Sequence, residues 1–176
     1  MRKLLMALTA SLALLAGVAE AHGPSRQKTT QEVTLNATPD AVWAVIGNYN
    51  DLSWYPGVAE VDAPAGNTKD GTRTVTLDNG TVLTEELTKY DATKRIMAFR
   101  RTADDVVLLP ATNFSTVMTV KDVDGKALVE FRGAYYRGFP NNNPPPDLSD
   151  EAATAAVNAF YQVGIAALTE KFGAAK

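Results

Sequence analysis

Apolar and polar residues alternate along most of the chain between residues 27 and 137, and a helical period replaces the alternation in only a few places. In "QKTTQEVTLNA" (27–37), Val33 and Leu35 alternate with polar neighbours, which predicts a leading strand. "TPDAVWAVIG" (38–47) instead puts Val42, Val45 and Ile46 on one helical stripe, with Trp43 at its border. Its punctuation is complete: Thr38 as N-cap, Pro39 at the first helical position, Asp40 in the first turn and Gly47 as the stop. A second short helix or turn is expected over "NYNDLSWY" (48–55). It ends before Pro56, because proline lacks the N–H and restricts the residue before it.

Strands are then expected at roughly 57–63, 71–77, 81–90, 94–102, 113–121 and 126–137. The connections "AGNTKDG", "DNG", "DATK" and "VDG" carry turn chemistry. "FPNNNPPPD" (139–147), with three prolines behind three asparagines, reads as a connecting loop. A long helix follows, capped by Asp147 or Ser149, with Asp150 and Glu151 in its first turn, Lys171 near its end and Gly173 as its stop. Ala153, Val157, Phe160, Gly164, Ile165, Leu168 and Phe172 recur at helical spacing. No internal repeat or second domain is apparent. The order predicts an α+β fold, in which a seven-stranded, curved antiparallel sheet wraps around a long C-terminal helix, with two short helices after strand one.

The hairpin "TRTVTLDNGTVLTEELTKYD" sharpens the picture, because loop length fixes register and a one-residue slip reverses a strand's faces. A two-residue Asn79-Gly80 turn would mix Thr84 and Glu86 with Val75 and Leu77. A three-residue Asp78-Asn79-Gly80 loop, with glycine left-handed, gathers Val75, Leu77, Leu83 and Leu87 on one face and Thr74, Thr76, Val82, Thr84, Glu86 and Thr88 on the other. The segregation favours the second. Arg73 and Glu85 then fall opposite each other on the inward face, a polar handle in an apolar wall. The same alternation puts Phe114, Thr116, Met118, Phe131 and Tyr135 inward, facing Phe160 and Gly164 of the long helix. Arg100 and Arg101 are adjacent, so one of them points inward. Ala152, Ala153, Ala155, Ala156 and Ala159 allow either close packing on the sheet or an empty space beneath the helix; a cavity is the expected outcome, since grooves between layers are common ligand sites. Trp54 and Tyr55 sit where they would plug the open end of the grip, form an aromatic lip over the cavity or meet a protein partner, for which Trp and Tyr are favoured.

The first residues change the setting. Arg2 and Lys3, an apolar run from Leu4 to Val18 and "AEA" at 19–21 form the pattern of a secretory signal peptide. Cleavage is expected after Ala21, leaving His22 as the first residue of one domain over 22–176, exported to the periplasm and not membrane-anchored. The chain holds 17 Lys and Arg against 20 Asp and Glu, net −3, with no basic block, which argues against nucleic acid as a partner. It has no cysteine, so disulfides, thiol nucleophiles and lipid attachment through cysteine are excluded. The one histidine, His22, is a poor fixed base for a serine triad. Its amine and imidazole would also make an incomplete copper site. No metal or cofactor is expected.

"TPDAVWAVIGNYNDLSWYPGV", "GTRTVTL", "LTEELTKYD" and the closing helix together resemble the START-like (SRPBCC) helix-grip superfamily, in its polyketide cyclase/dehydrase branch. "HGPSRQK" with "YYRGFPNNNPPPDLSDEAATAAVNAFY" is similar to the exported MxaD-like proteins associated with bacterial periplasmic methanol oxidation. The resemblance implies a cavity between sheet and helix that takes apolar or amphipathic small molecules. It also implies an accessory role, with a periplasmic redox protein as a candidate partner, and it transfers no catalytic set. Three functions follow as expectations: a non-enzymatic binding accessory first, then a cyclase or dehydrase using Glu85 and Arg73, then a carrier of a lipid or small aromatic molecule. Glu85 in an apolar wall suits acid–base work, but Arg73 opposite favours its charged form, which leaves ligand orientation or a structural pair.

Overall fold

The computed structural model describes residues 23–175. The expected signal peptide and His22 lie outside them. Seven strands form along the alternating stretch: β1 (Gln27–Leu35), β2 (Val58–Asp62), β3 (Thr72–Leu77), β4 (Val82–Asp91), β5 (Ile96–Arg101), β6 (Ala111–Val123) and β7 (Lys126–Arg137). Helix α1 (Pro39–Ile46) follows β1, and α2 (Asp150–Phe172) follows β7 after a single 3-10 turn at Pro146–Leu148. The strands make one antiparallel sheet in the order β1-β7-β6-β5-β4-β3-β2. Consecutive strands from β2 to β7 are neighbours, while β1 crosses to the far edge to pair with β7. The result is the expected α+β helix-grip, an open curved sheet around α2.

Both helices take the caps read from the sequence. Thr38 Oγ1 accepts from the Ala41 N–H at 3.3 Å, and the Gly47 N–H closes α1 on the Trp43 carbonyl at 2.7 Å. Gly47 is not there for a left-handed turn, since its φ is −85°. A Cβ would lie 2.4 Å from the Trp43 ring, which folds back over the helix end and stacks on Tyr90. Of the two candidates, Ser149 caps α2, accepting from the Ala152 N–H at 3.2 Å. One expectation is corrected: there is a single short helix after β1. Residues 48–57 make successive turns instead, closed by Asp51 N–H to Asn48 O (3.2 Å) and Tyr55 N–H to Leu52 O (2.9 Å). Pro56 and Gly57 (φ 83°) follow too closely for a helix to propagate.

The hairpin between β3 and β4 has the three-residue loop. Val75 pairs with Leu83, the Leu77 N–H reaches the Thr81 carbonyl at 2.8 Å, and Gly80 is left-handed at φ 82°. Arg73 stands directly opposite Glu85.

Helix α2 packs against β1 and β7, burying Ala153, Val157, Tyr161, Gly164, Ile165 and Leu168. Tyr161, rather than Phe160, holds the centre of this stripe; Phe160 is half-buried beside it. The alanines do not form the sheet-facing surface as a group, because Ala155 and Ala159 are exposed. Close approach is provided by Gly133 of β7, where a Cβ would stand 2.9 Å from the Tyr161 Oη. The ring can therefore lie on the sheet and its hydroxyl meets Thr116 Oγ1 at 2.9 Å. Because the helix sits toward the β1–β7 side, the inward faces of β3, β4 and β5 have to be covered by something else.

Candidate functional site

That cover is the 48–58 segment. Tyr55 donates to the Phe160 carbonyl at 2.8 Å, and its ring lies 5.3 Å from that of Phe160 and 5.6 Å from that of Trp54. Gly164 provides the room, since a Cβ would come within 3.2 Å of Tyr55 Cε2 and 3.3 Å of Trp54 Cζ3. Beneath the two rings is a cavity of about 70 Å³. Its walls are Val75, Leu77, Leu83, Arg73 and Glu85 from β3 and β4, Met97 and Phe99 from β5, Thr116, Met118 and Phe131 from β6 and β7, and Phe160, Tyr161 and Gly164 from α2. Ile46, Asn48, Leu52, Trp54, Tyr55 and Val58 complete the ring.

Eleven of the fourteen residues expected from the sequence therefore meet around one space: Trp54, Tyr55, Arg73, Val75, Leu77, Leu83, Glu85, Met118, Phe131, Phe160 and Gly164. Three do not line it. Leu87 is fully enclosed in the core, and Phe114 and Tyr135 are covered directly by α2. Phe114 packs against Phe160 and Tyr161, and the Tyr135 hydroxyl donates to Thr154 on the helix at 3.1 Å. They point inward as expected, but under the part of the sheet that α2 already fills. The α1 end and the turn residues of the lining carry no alternation to reveal them. Tyr161 falls on the helical spacing, and its polar hydroxyl concealed its burial.

Arg73 and Glu85 are the charged groups in the cavity wall. Their side chains are 3% and 6% exposed, with Arg73 Nη2 2.6 Å and Nε 2.8 Å from the same Glu85 Oε2. Arg73 Nη1 donates to the Tyr49 carbonyl at 2.9 Å. The guanidinium lies 4.3 Å from the Tyr49 ring centre and 4.8 Å from that of Phe99, so aromatic faces supply part of the solvation it loses. Within this apolar enclosure the pair offers a fixed dipole.

Burial pushes the hydroxyls of Tyr49, Tyr55 and Tyr161 well above the ordinary tyrosine value. It prevails over the Arg73 charge at Tyr49, the Arg101 charge at Tyr55 and the Thr116 hydrogen bond at Tyr161. An unfolded chain releases these protons at about pH 10, and the folded chain holds them to higher pH. Their contribution to stability is then full below about pH 10 and is lost as pH rises from there. A tyrosinate absorbance titration of the Tyr49→Phe, Tyr55→Phe and Tyr161→Phe variants should assign these three residues to the late-titrating fraction. An ordinary midpoint for any of them would contradict the enclosure described.

Fold and cavity together define a helix-grip protein with a charged pair buried in its cavity wall beneath an aromatic cover. The chain belongs to the family described as polyketide cyclase / dehydrase and lipid transport, which matches residues 26–173. Among solved structures it is similar to XoxI from Bacillus cereus, at 24% identity and a TM-score of 0.69, covering 82% of this chain and 94% of that one. It is also similar to the Zhui aromatase/cyclase of a Streptomyces species, at 17% identity and a TM-score of 0.62, covering 84% and 93%. A truncated norcoclaurine synthase from Thalictrum flavum matches at 12% identity and a TM-score of 0.62, covering 85% and 94%. At these identities the likenesses establish the fold alone. No protein of curated function matches the sequence significantly.

Proposed function

We propose that this chain is an exported accessory protein that works by binding an apolar or amphipathic small molecule between β3–β5 and α2. The observation that carries the reading is the Arg73–Glu85 pair, buried in an otherwise apolar wall beneath Trp54 and Tyr55. A volume of about 70 Å³ is well below the roughly 300–1,000 Å³ of sites that enclose a drug-sized ligand. The space is therefore largely filled by the side chains around it, and loading requires them to move. Export is supported by the signal-peptide pattern of residues 1–21. A role beside a redox partner in methanol oxidation is supported by the sequence resemblance to MxaD-like proteins. Glu85 holds Arg73 through one oxygen, accepting from Nε at 2.8 Å with Nη2 at 2.6 Å, an arrangement that orients a ligand better than it moves a substrate proton.

The test uses a neutral fluorescent probe, N-phenyl-1-naphthylamine, which brightens in apolar surroundings. It should brighten on the wild-type chain and fail to do so on Val75→Phe, which fills the cavity from a wall residue that is 3% exposed. Equal brightening on both proteins would place the probe elsewhere and sink the reading. Native mass spectrometry of protein taken from its own cells then separates a co-purifying small molecule from a stoichiometric redox partner.

A further inference from the structure

Arg101 ends β5 on the inward face, directly opposite Glu85 in the strand pairing. The residue is only 7% exposed, and its Nε and Nη1 are buried without a hydrogen-bond partner. Three acidic residues lie near enough for their charge to act on it, and each is engaged elsewhere. Glu85 is held by Arg73, Asp104 accepts the Asn113 N–H at 2.9 and 3.1 Å, and Asp105 accepts those of Val107 (3.0 Å) and Leu108 (3.2 Å). On its inner side the guanidinium meets aromatic rings, with the Phe114 ring centre at 5.4 Å and that of Phe160 at 5.9 Å, while on its outer side Arg101 lines a polar surface pocket with Arg100, Thr102, Asp104 and Asn113.

A buried cation without an acceptor is costly, and a guanidinium does not escape by losing its proton at neutral pH. Burial does lower the Arg101 pKa, with Glu85 and Asp104 opposing the shift. The other buried side-chain atoms without partners among the described residues are Tyr49 Oη and Trp54 Nε1, both able to donate. Trp54 lines the cavity, Tyr49 backs Arg73, and Arg101 lies against Phe160 of the cavity wall. The shortage around this space is therefore one of acceptors. A molecule that cures it brings oxygen atoms and negative charge, on a body that suits an aromatic lining.

We propose that Arg101 is the anion-recognition point of the cavity, and that the ligand is a small aromatic carboxylate whose carboxylate accepts from the Arg101 guanidinium while its ring lies among Tyr55, Phe160 and Phe131. The inference rests on the cavity-binding reading above and adds the charge of the ligand to it. Arg73 is unsuited to the task, because its three nitrogens already have acceptors in Glu85 and the Tyr49 carbonyl. A buried guanidinium whose Nε and Nη1 are idle suits the oxygen atoms of a carboxylate, and such charge-assisted bonds discriminate strongly against a neutral analogue.

The experiment compares 3-phenylpropanoate with 3-phenylpropanamide, which keep one ring and chain and differ in charge, by calorimetric titration into the folded chain. The carboxylate should bind about tenfold or more tightly than the amide. In Arg101→Gln the preference should fall to within about twofold. Arg101→Lys, with the charge but not the guanidinium, should keep part of it, and Lys94→Gln on the exposed surface should keep all of it. Near-ultraviolet circular dichroism establishes that each variant is folded, and if Arg101→Gln is not, the lysine variant carries the comparison. Equal binding of acid and amide to the wild type, or an undiminished preference in both Arg101 variants, overturns the proposal. If N-phenyl-1-naphthylamine binds and neither phenylpropanoid does, the anion site is wrong and the cavity reading stands. If none of the three binds, both fall.

Discussion

Glu85→Ala is expected to destabilise the folded chain by about 3–5 kcal/mol, read as a lower urea midpoint at unchanged slope. The reason is what remains behind. Arg73 would keep its position between the Tyr49 and Phe99 rings, with one hydrogen bond to the Tyr49 carbonyl and no countercharge, in a place that is 4% exposed. Replacing both partners by apolar residues of similar volume, Arg73→Met with Glu85→Leu, removes the orphaned charge and should recover most of the loss, since a buried pair contributes little beyond its own desolvation. The contrast between single and double variants is the diagnostic result. If the double variant is as unstable as the single, the pair is holding the sheet together rather than furnishing the cavity. Retained stability with lost ligand orientation is the outcome that the proposed function requires.

Trp54→Ala should release bound N-phenyl-1-naphthylamine about tenfold faster or more, with a smaller change in association rate, because interface truncations act mostly on dissociation. Trp54 is half-buried and closes the cavity edge-on to Tyr55, at an interplanar angle of 81°. Its removal leaves Tyr55 tethered to the Phe160 carbonyl but takes away the second ring of the cover. Folding stability should fall only by about 1–2 kcal/mol, less than for a fully enclosed tryptophan. Stopped-flow dissociation separates the two effects. An unchanged release rate would mean that Trp54 is simple core and that the ligand leaves by another path.

These expectations depend on parts of the molecule that the sequence revealed unevenly. The β3–β4 hairpin was legible to the residue because a single choice, the Asp78-Asn79-Gly80 loop, sorts every side chain of both strands at once. Helix α1 was equally plain, since both its ends are marked chemically. Strand β5 was not. Ile96, Met97, Ala98 and Phe99 are all apolar, so no alternation says which of Arg100 and Arg101 turns inward; pairing with β4 decides it. A register shift between Leu87 and Lys89 falls between that strand's two ends and is invisible in composition. The cavity's outline was harder still, because it depends on where α2 comes to rest. Phe114 and Tyr135 have the right parity and the wrong neighbour. The aromatic stretch 54–55 showed that a cover was present, but its seat on Gly164 is a fact of tertiary packing.

The pairing of β1 with β7 has a consequence for how the chain comes to be folded. Gln27 waits for Tyr135 and Leu35 for Ala127, and the segment after α2 returns to the same strand through Leu35 and Ala174. The first strand to leave a ribosome thus has its partners among the last, and such distant closure is slow compared with local pairing. For a chain exported as proposed, such a delay would favour crossing the membrane before the sheet is complete.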